Sequence, residues 1–149
     1  MTTTDTRLTE EAVRTLVQEW YQALDRHAPV EEVVRYLADE GLVMHFPEGT
    51  LRGLDGFRSW YRDVTHRFFD EVHELTSVDV RFVSPVRAEV RVVVNWQTKV
   101  WNPPAPHSEW LGFDATQTWS VVLQDGTPRI LTYTVDDLAP MPGSADLGV

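Results

Sequence analysis

The spacing of apolar residues changes once along this chain, from a helical period in its first half to a strand period in its second. Val13, Leu16, Val17, Trp20 and Leu24 recur every three or four positions, which places them on one face of a helix running to about Arg26. Thr9, followed by Glu10 and Glu11, marks its start: a hydroxyl to cap the first N–H groups, and acids at the positive end of the dipole. Pro29 opens a second helix, with Val30, Val33, Val34 and Leu37 as its stripe and Gly41 as its stop. Residues 42–46 read as a short strand closed by Pro47, Glu48–Gly49 as a turn, and 50–52 as a returning strand. Leu54, Phe57, Trp60, Tyr61, Val64 and Phe68 make a third helix. Beyond it the period is two. Val78, Val80 and Phe82 alternate with Asp79 and Arg81, and Val90, Val92, Val94 and Trp96 alternate with Arg91, Asn95 and Gln97. The proline-rich segment 102–108 is a loop, 113–123 a strand, Asp125–Gly126 a hairpin turn, and 129–135 the last strand.

Helices first and strands afterwards predict an α+β domain. Long antiparallel strands twist and curl, and three helices laid across the concave side leave a cone-shaped fold with a central pocket. The domain spans 9–138. A polar, threonine-rich, disordered tail (1–8) is expected to precede it, and a flexible tail of proline, glycine and small residues (139–149) to follow. A chain of 149 residues buries roughly 70% of its unfolded surface, enough to fold without a staple.

Composition removes several functions. There is no cysteine, hence no disulfide, thiolate zinc site, iron–sulfur cluster or cysteine nucleophile. Thirteen Lys and Arg against 23 Asp and Glu give a net charge of -10, which repels polyanions and argues against nucleic acid as a partner. The single lysine, Lys99, alternates with an apolar strand face and points to solvent, against Schiff-base chemistry. No apolar run approaches the roughly 20 residues of a membrane helix. No leader-like segment opens the chain, so a cytoplasmic location is expected. His66 and His73 are seven apart across a helix end, without ligand spacing, so no metal is expected. Glycine-rich phosphate loops and a nucleophile elbow are lacking, and no cofactor is expected.

Four segments together, the helix VRTLVQEWYQAL, the stretch YLADEGLVMHFPEGTLRG, the helix DGFRSWY and the hairpin WSVVLQDGTPRILTYTVDDL, resemble the nuclear transport factor 2-like superfamily and its SnoaL-like branch over about residues 9–138. That superfamily includes ketosteroid isomerases, polyketide cyclases, scytalone dehydratase, limonene epoxide hydrolase and many non-catalytic proteins. Carried over position by position, most of the known catalytic groups are replaced. The isomerase base falls on Phe46, the first-helix oxyanion tyrosine on Trp20, and the second oxyanion acid near Gln117. The cyclase aspartate falls on Trp119 or Gln117. The last strand carries Thr132, Tyr133 and Thr134 where an epoxide hydrolase has its first aspartate. The feature retained is His45, two residues before Pro47.

The candidate catalytic residues are therefore His45, as a proton carrier near neutral pH, and Asp114, to orient it or act as a base. His45 shares its strand face with Val43, opposite Leu42, Met44 and Phe46. Asp114 lies outside the apolar set of its strand, and a bulge would be needed to turn it inward. His107, in the proline-rich loop, is a second histidine for two-histidine chemistry. Gln117 is the one polar residue within an apolar set, and a buried amide must bond something. The expected ligand-binding residues are Trp20, Phe46, Trp60, Trp96, Gln117, Trp119 and Tyr133, with Trp101 and Trp110 at the pocket mouth. They suit a small apolar or aromatic molecule. The expected function is a cofactor-independent lyase, isomerase or cyclase acting on an apolar ring-containing metabolite. The alternative is a non-catalytic binding or interaction module. Val93 and Val122, on the convex face, point to a homodimer through the sheet.

Overall fold

The computed structural model of the protein describes residues 6–148. Helix α1 spans Glu10–Asp25, and the Thr9 hydroxyl accepts the Ala12 N–H at 3.1 Å as its cap. Its stripe of Val13, Leu16, Val17, Trp20 and Leu24 is buried. The second helix is much shorter than the sequence predicts. α2 spans Val30–Val33 and passes into a 3-10 turn over Val34–Tyr36. The chain leaves the helix there because Leu37 forms a bridge with Ile130 and the Ala38 N–H reaches the Ile130 carbonyl at 2.8 Å. The hairpin strands β1 (Val43–Phe46) and β2 (Gly49–Arg52) lead into α3 (Gly53–Arg67).

Four long strands follow: β3 (Phe68–Ser84), β4 (Arg87–Val100), β5 (Glu109–Gln124) and β6 (Thr127–Pro140). They join the hairpin in one open six-stranded sheet of order β2-β1-β6-β5-β4-β3. All pairings are antiparallel except β1 with β6, which is parallel, so the sheet is mixed. The α+β architecture is as expected, with three helices packed on the sheet. The core joins the α1 stripe and Phe57 of α3 to Val90, Val92, Val94, Ala115, Trp119, Val121, Ile130 and Tyr133 from the sheet. Val93 and Val122, on the outer face, are half-buried.

Two regions depart from the sequence reading. β3 begins directly after α3, ten residues before the expected alternation at Val78, and two of its three register shifts break the period in that first half. One lies between Phe69 and Val72, where Asp70 adopts φ 52°. The other lies between Leu75 and Ser77. The C-terminal segment is packed rather than loose. The Met141 N–H bonds the Gly112 carbonyl, the Ala145 N–H bonds the Trp110 carbonyl, and Arg67 donates to the Leu147 carbonyl at 2.7 Å. Leu147 joins a second apolar cluster with Phe68, Val100, Leu111 and Phe113. Gly112 permits this docking: a Cβ there would stand 2.4 Å from the Trp110 ring and 2.8 Å from the Met141 sulfur. Of the expected N-terminal tail, residues 1–5 lie outside the described residues, while Leu8 is buried and its N–H bonds the Pro85 carbonyl. Among the described residues no helix is long and apolar enough to cross a membrane.

Candidate active site

α1 ends on an acid. A carboxylate at the negative end of a helix dipole opposes the field there by a few tenths of a kcal/mol to about 1 kcal/mol, and no basic residue in the last turn offsets it. The carboxylate is Asp25, and its partner is His73 on β3. Oδ1 accepts the ring Nδ1–H of His73 at 2.5 Å, and Oδ2 accepts the His73 main-chain N–H at 2.9 Å. β3 is an edge strand, so that N–H has no neighbouring strand to bond, and Asp25 supplies the acceptor. A carboxylate acceptor at Nδ1 assigns the proton to Nδ1 and leaves the lone pair of the neutral imidazole on Nε2. The ring is gripped by the stacked faces of Tyr21 (4.6 Å) and Trp96 (6.2 Å). Its side chain is only 9% exposed, and it lines an apolar cavity.

That cavity, of about 100 Å³, lies between α3 and the concave face of the sheet. Val64, Phe68, Val94, Ala115, Val135, Leu138 and Leu147 form most of its apolar wall. Phe46 and Trp60 stack beside it at 4.3 Å, and the Trp60 N–H is anchored on Glu48. Opposite the aliphatic wall is a polar edge. The Trp119 indole N–H, which can only donate, meets the Gln117 side chain at 2.9 Å, so the atom it meets is the carbonyl Oε1. The Tyr21 hydroxyl donates to the same oxygen at 2.8 Å and lies 3.2 Å from the Tyr133 hydroxyl. Among the described residues no acceptor is bonded to Gln117 Nε2, which leaves the amide N–H groups as donors for the cavity. Burial pushes the Tyr21 phenol well above its ordinary range and raises that of Tyr133. Both stand as neutral hydroxyls at neutral pH. Tyr61, whose hydroxyl donates to the Ala28 carbonyl at 2.6 Å, is likewise pushed up, to about 12, by burial.

Of the residues singled out by sequence, Phe46, Trp60, Trp96, Gln117 and Tyr133 line the cavity. Trp20 and Trp119 are fully buried behind that wall, where they hold Tyr133 and Gln117 in place. His45 is exposed, with Nδ1 3.0 Å from the Thr50 hydroxyl. Strand parity sends it outward, since Met44 takes the inward position. Asp114 is exposed too and accepts from Asn95 on the neighbouring strand. No bulge turns it inward, because the β4–β5 register runs unbroken from Arg87–Val122 to Val100–Glu109. His45 and Asp114 thus stand apart from the cavity and from Gln117. His107 and Trp101 are exposed, and Trp110 packs over Gly112 instead of framing a mouth. Lys99 faces outward, 3.9 Å from Asp70. The residues that sequence reasoning missed are Asp25, His73, Tyr21 and Glu71. A signal was available for Asp25: an acid where the helix dipole disfavours one is a local misfit of the kind that functional sites tolerate.

A curved mixed sheet wrapped by three helices, with an apolar cavity between them, defines the cone-shaped class of small α+β domains. The profile of one family in that class, the SnoaL-like domain, matches residues 5–134. The chain belongs to the SnoaL-like family, within the nuclear transport factor 2-like superfamily. Among curated protein sequences none matches the chain. Solved structures match it closely in fold. A candidate scytalone dehydratase from Novosphingobium aromaticivorans superposes with a TM-score of 0.74 at 16% identity, covering 93% of each chain. A hexachlorocyclohexane dehydrochlorinase (LinA, type 2) gives 0.74 at 16% identity, covering 93% of this chain and 94% of its own. A candidate aromatic ring hydroxylase, also from Novosphingobium aromaticivorans, gives 0.76 at 16% identity over 88% and 92%. At such identity these likenesses establish the fold.

Proposed function

We propose that this protein removes a carbon-bound proton from a small cyclic substrate and expels a leaving group from the adjacent carbon. The observation that carries the reading is His73: an imidazole held by Asp25 through Nδ1, clamped between two aromatic faces, on the wall of an apolar cavity. Substrate C–H points at Nε2. The C–H bond breaks, the proton passes to Nε2, and the bonding pair forms a carbon–carbon double bond as the carbon–X bond breaks and X leaves with its electrons. The imidazolium formed is stabilised by Asp25, and it returns its proton to X or to solvent. No electrons enter or leave, so the step needs no redox cofactor. The Gln117 amide N–H groups stand across the cavity as neutral donors able to hold a carbonyl oxygen or the departing X, while the Tyr133 hydroxyl donates to Tyr21 and so supports the Tyr21–Gln117 bond. Two of the neighbours in fold carry the names of eliminases, a dehydratase and a dehydrochlorinase, which agrees with the chemistry a single buried base can perform.

The test is a panel of ring compounds with a leaving group beside an acidic C–H, including scytalone and hexachlorocyclohexane, with water loss followed by mass and chloride by titration. Saturable release from at least one member is expected. Tight binding of panel members without any release would favour a binding protein instead.

A further inference from the structure

Glu71 is a buried charged group of the cavity wall that the elimination does not use. It sits two residues before His73, and the bulge at Asp70 sets both side chains on the inward face of β3. Its side chain is 12% exposed, so its charge lies in the interior. Two donors fix it. His27 Nε2–H reaches Oε1 at 3.1 Å, and the Trp96 indole N–H reaches Oε2 at 2.8 Å. The indole cannot accept, so Oε2 faces it as an acceptor. A carboxylate has about four lone-pair sites, and these two bonds leave others free toward the cavity.

The other charged groups of the wall are engaged elsewhere. Arg67 lies over the Phe68 ring and donates to the Leu147 carbonyl, and Glu48 is exposed and takes the Trp60 N–H. An inward carboxylate repels a substrate carboxylate or phosphate and leaves an apolar group facing an unmatched acceptor. It matches a neutral hydroxyl. From these facts we infer that Glu71 is the specificity-determining residue of this cavity, and that the substrate is a neutral ring compound whose hydroxyl donates to Glu71 while its C–H faces His73. Glu71 and His73 project from the same strand about 7 Å apart, a spacing one six-membered ring with its first substituent can bridge. The inference rests on the elimination reading for the role of His73, while the choice of a hydroxyl rests on Glu71 alone.

Equilibrium binding tests it without turnover. Titration calorimetry of the native protein with 4-methylphenol and with toluene compares ligands of similar shape that differ in the hydroxyl. A charge-assisted hydrogen bond predicts about tenfold tighter binding of 4-methylphenol. In Glu71→Gln the single amide oxygen is taken by Trp96, and the preference is expected to fall to about twofold. Glu71→Asp, one methylene shorter, should retain a part of it and serves if the glutamine variant does not fold. Equal binding of the two probes to the native protein, no binding of either, or an unchanged preference in folded Glu71→Gln overturns the inference. A native protein that keeps the preference but releases nothing from the elimination panel leaves Glu71 as assigned and refutes the eliminase reading alone.

Discussion

His73→Gln is expected to slow release of the leaving group by about 10²–10⁴-fold, the ordinary cost of losing a general base, while the affinity for substrate changes about twofold or less. The amide is close in size to imidazole and keeps a donor toward Asp25, but it offers no basic nitrogen. Asp25→Asn is expected to produce a loss of similar order by a different route. An asparagine can present its N–H to His73 Nδ1, which drives the imidazole proton to Nε2, the atom that must be bare to accept substrate hydrogen. The main-chain bond from His73 to residue 25 can survive in that variant through the remaining oxygen, so the fold is retained and the rate reports the tautomer. His45→Gln is the control, because His45 is exposed on the other side of β1. Steady-state kinetics of the four proteins on any substrate of the panel checks the set. An equal loss in His45→Gln, or full turnover in His73→Gln, would remove His73 from the chemistry.

Trp119→Ala is expected to destabilise the fold by about 3–5 kcal/mol, the range for emptying a large aromatic site in a packed core. Trp119 is wholly inaccessible, stacks on Tyr133 at 4.9 Å, and meets Trp20 edge-on at 6.4 Å. It also supplies the N–H that fixes the orientation of Gln117. Domains of this kind have about 5–15 kcal/mol in total, so the variant should unfold at a much lower urea concentration. Trp119→Phe should retain most of the stability and lose only the indole donor. Urea unfolding followed by circular dichroism measures both, and a cost under about 1 kcal/mol for Trp119→Ala would mean that the core closes over the gap.

Most of the architecture was legible in the sequence because α1, α3 and strands β4 and β5 each keep one period and bury one face. The site was legible in part for the same reason. Phe46, Trp60 and Trp96 sit at inward positions of regular elements, Tyr133 lies in the stretch of β6 between its two register shifts, and Gln117 is conspicuous as an amide inside an apolar set. The first half of β3 was hidden by the groups that make it interesting. Its inward positions carry Glu71 and His73, and the left-handed Asp70 and the shift before Ser77 break the alternation. A strand whose buried face is polar and whose register slips twice looks like a loop. The Asp25–His73 pair spans 48 positions and exists only after the sheet closes against α1. His45 drew attention for its chemistry, whereas its strand parity pointed outward, and parity decided its place.

The claim that His73 takes a proton from carbon inside this cavity is tested most directly with 5-nitrobenzisoxazole, a small apolar heterocycle that opens to a coloured phenolate when a base removes the C–H proton of its isoxazole ring. Proton loss and N–O cleavage occur together, so colour reports transfer from carbon to the base without knowledge of the natural substrate. The native protein is expected to open it with saturable kinetics, and His73→Gln to be slower by about 10²–10⁴-fold. Ring opening no faster than in buffer alone, or equally fast in His73→Gln, would contradict the account.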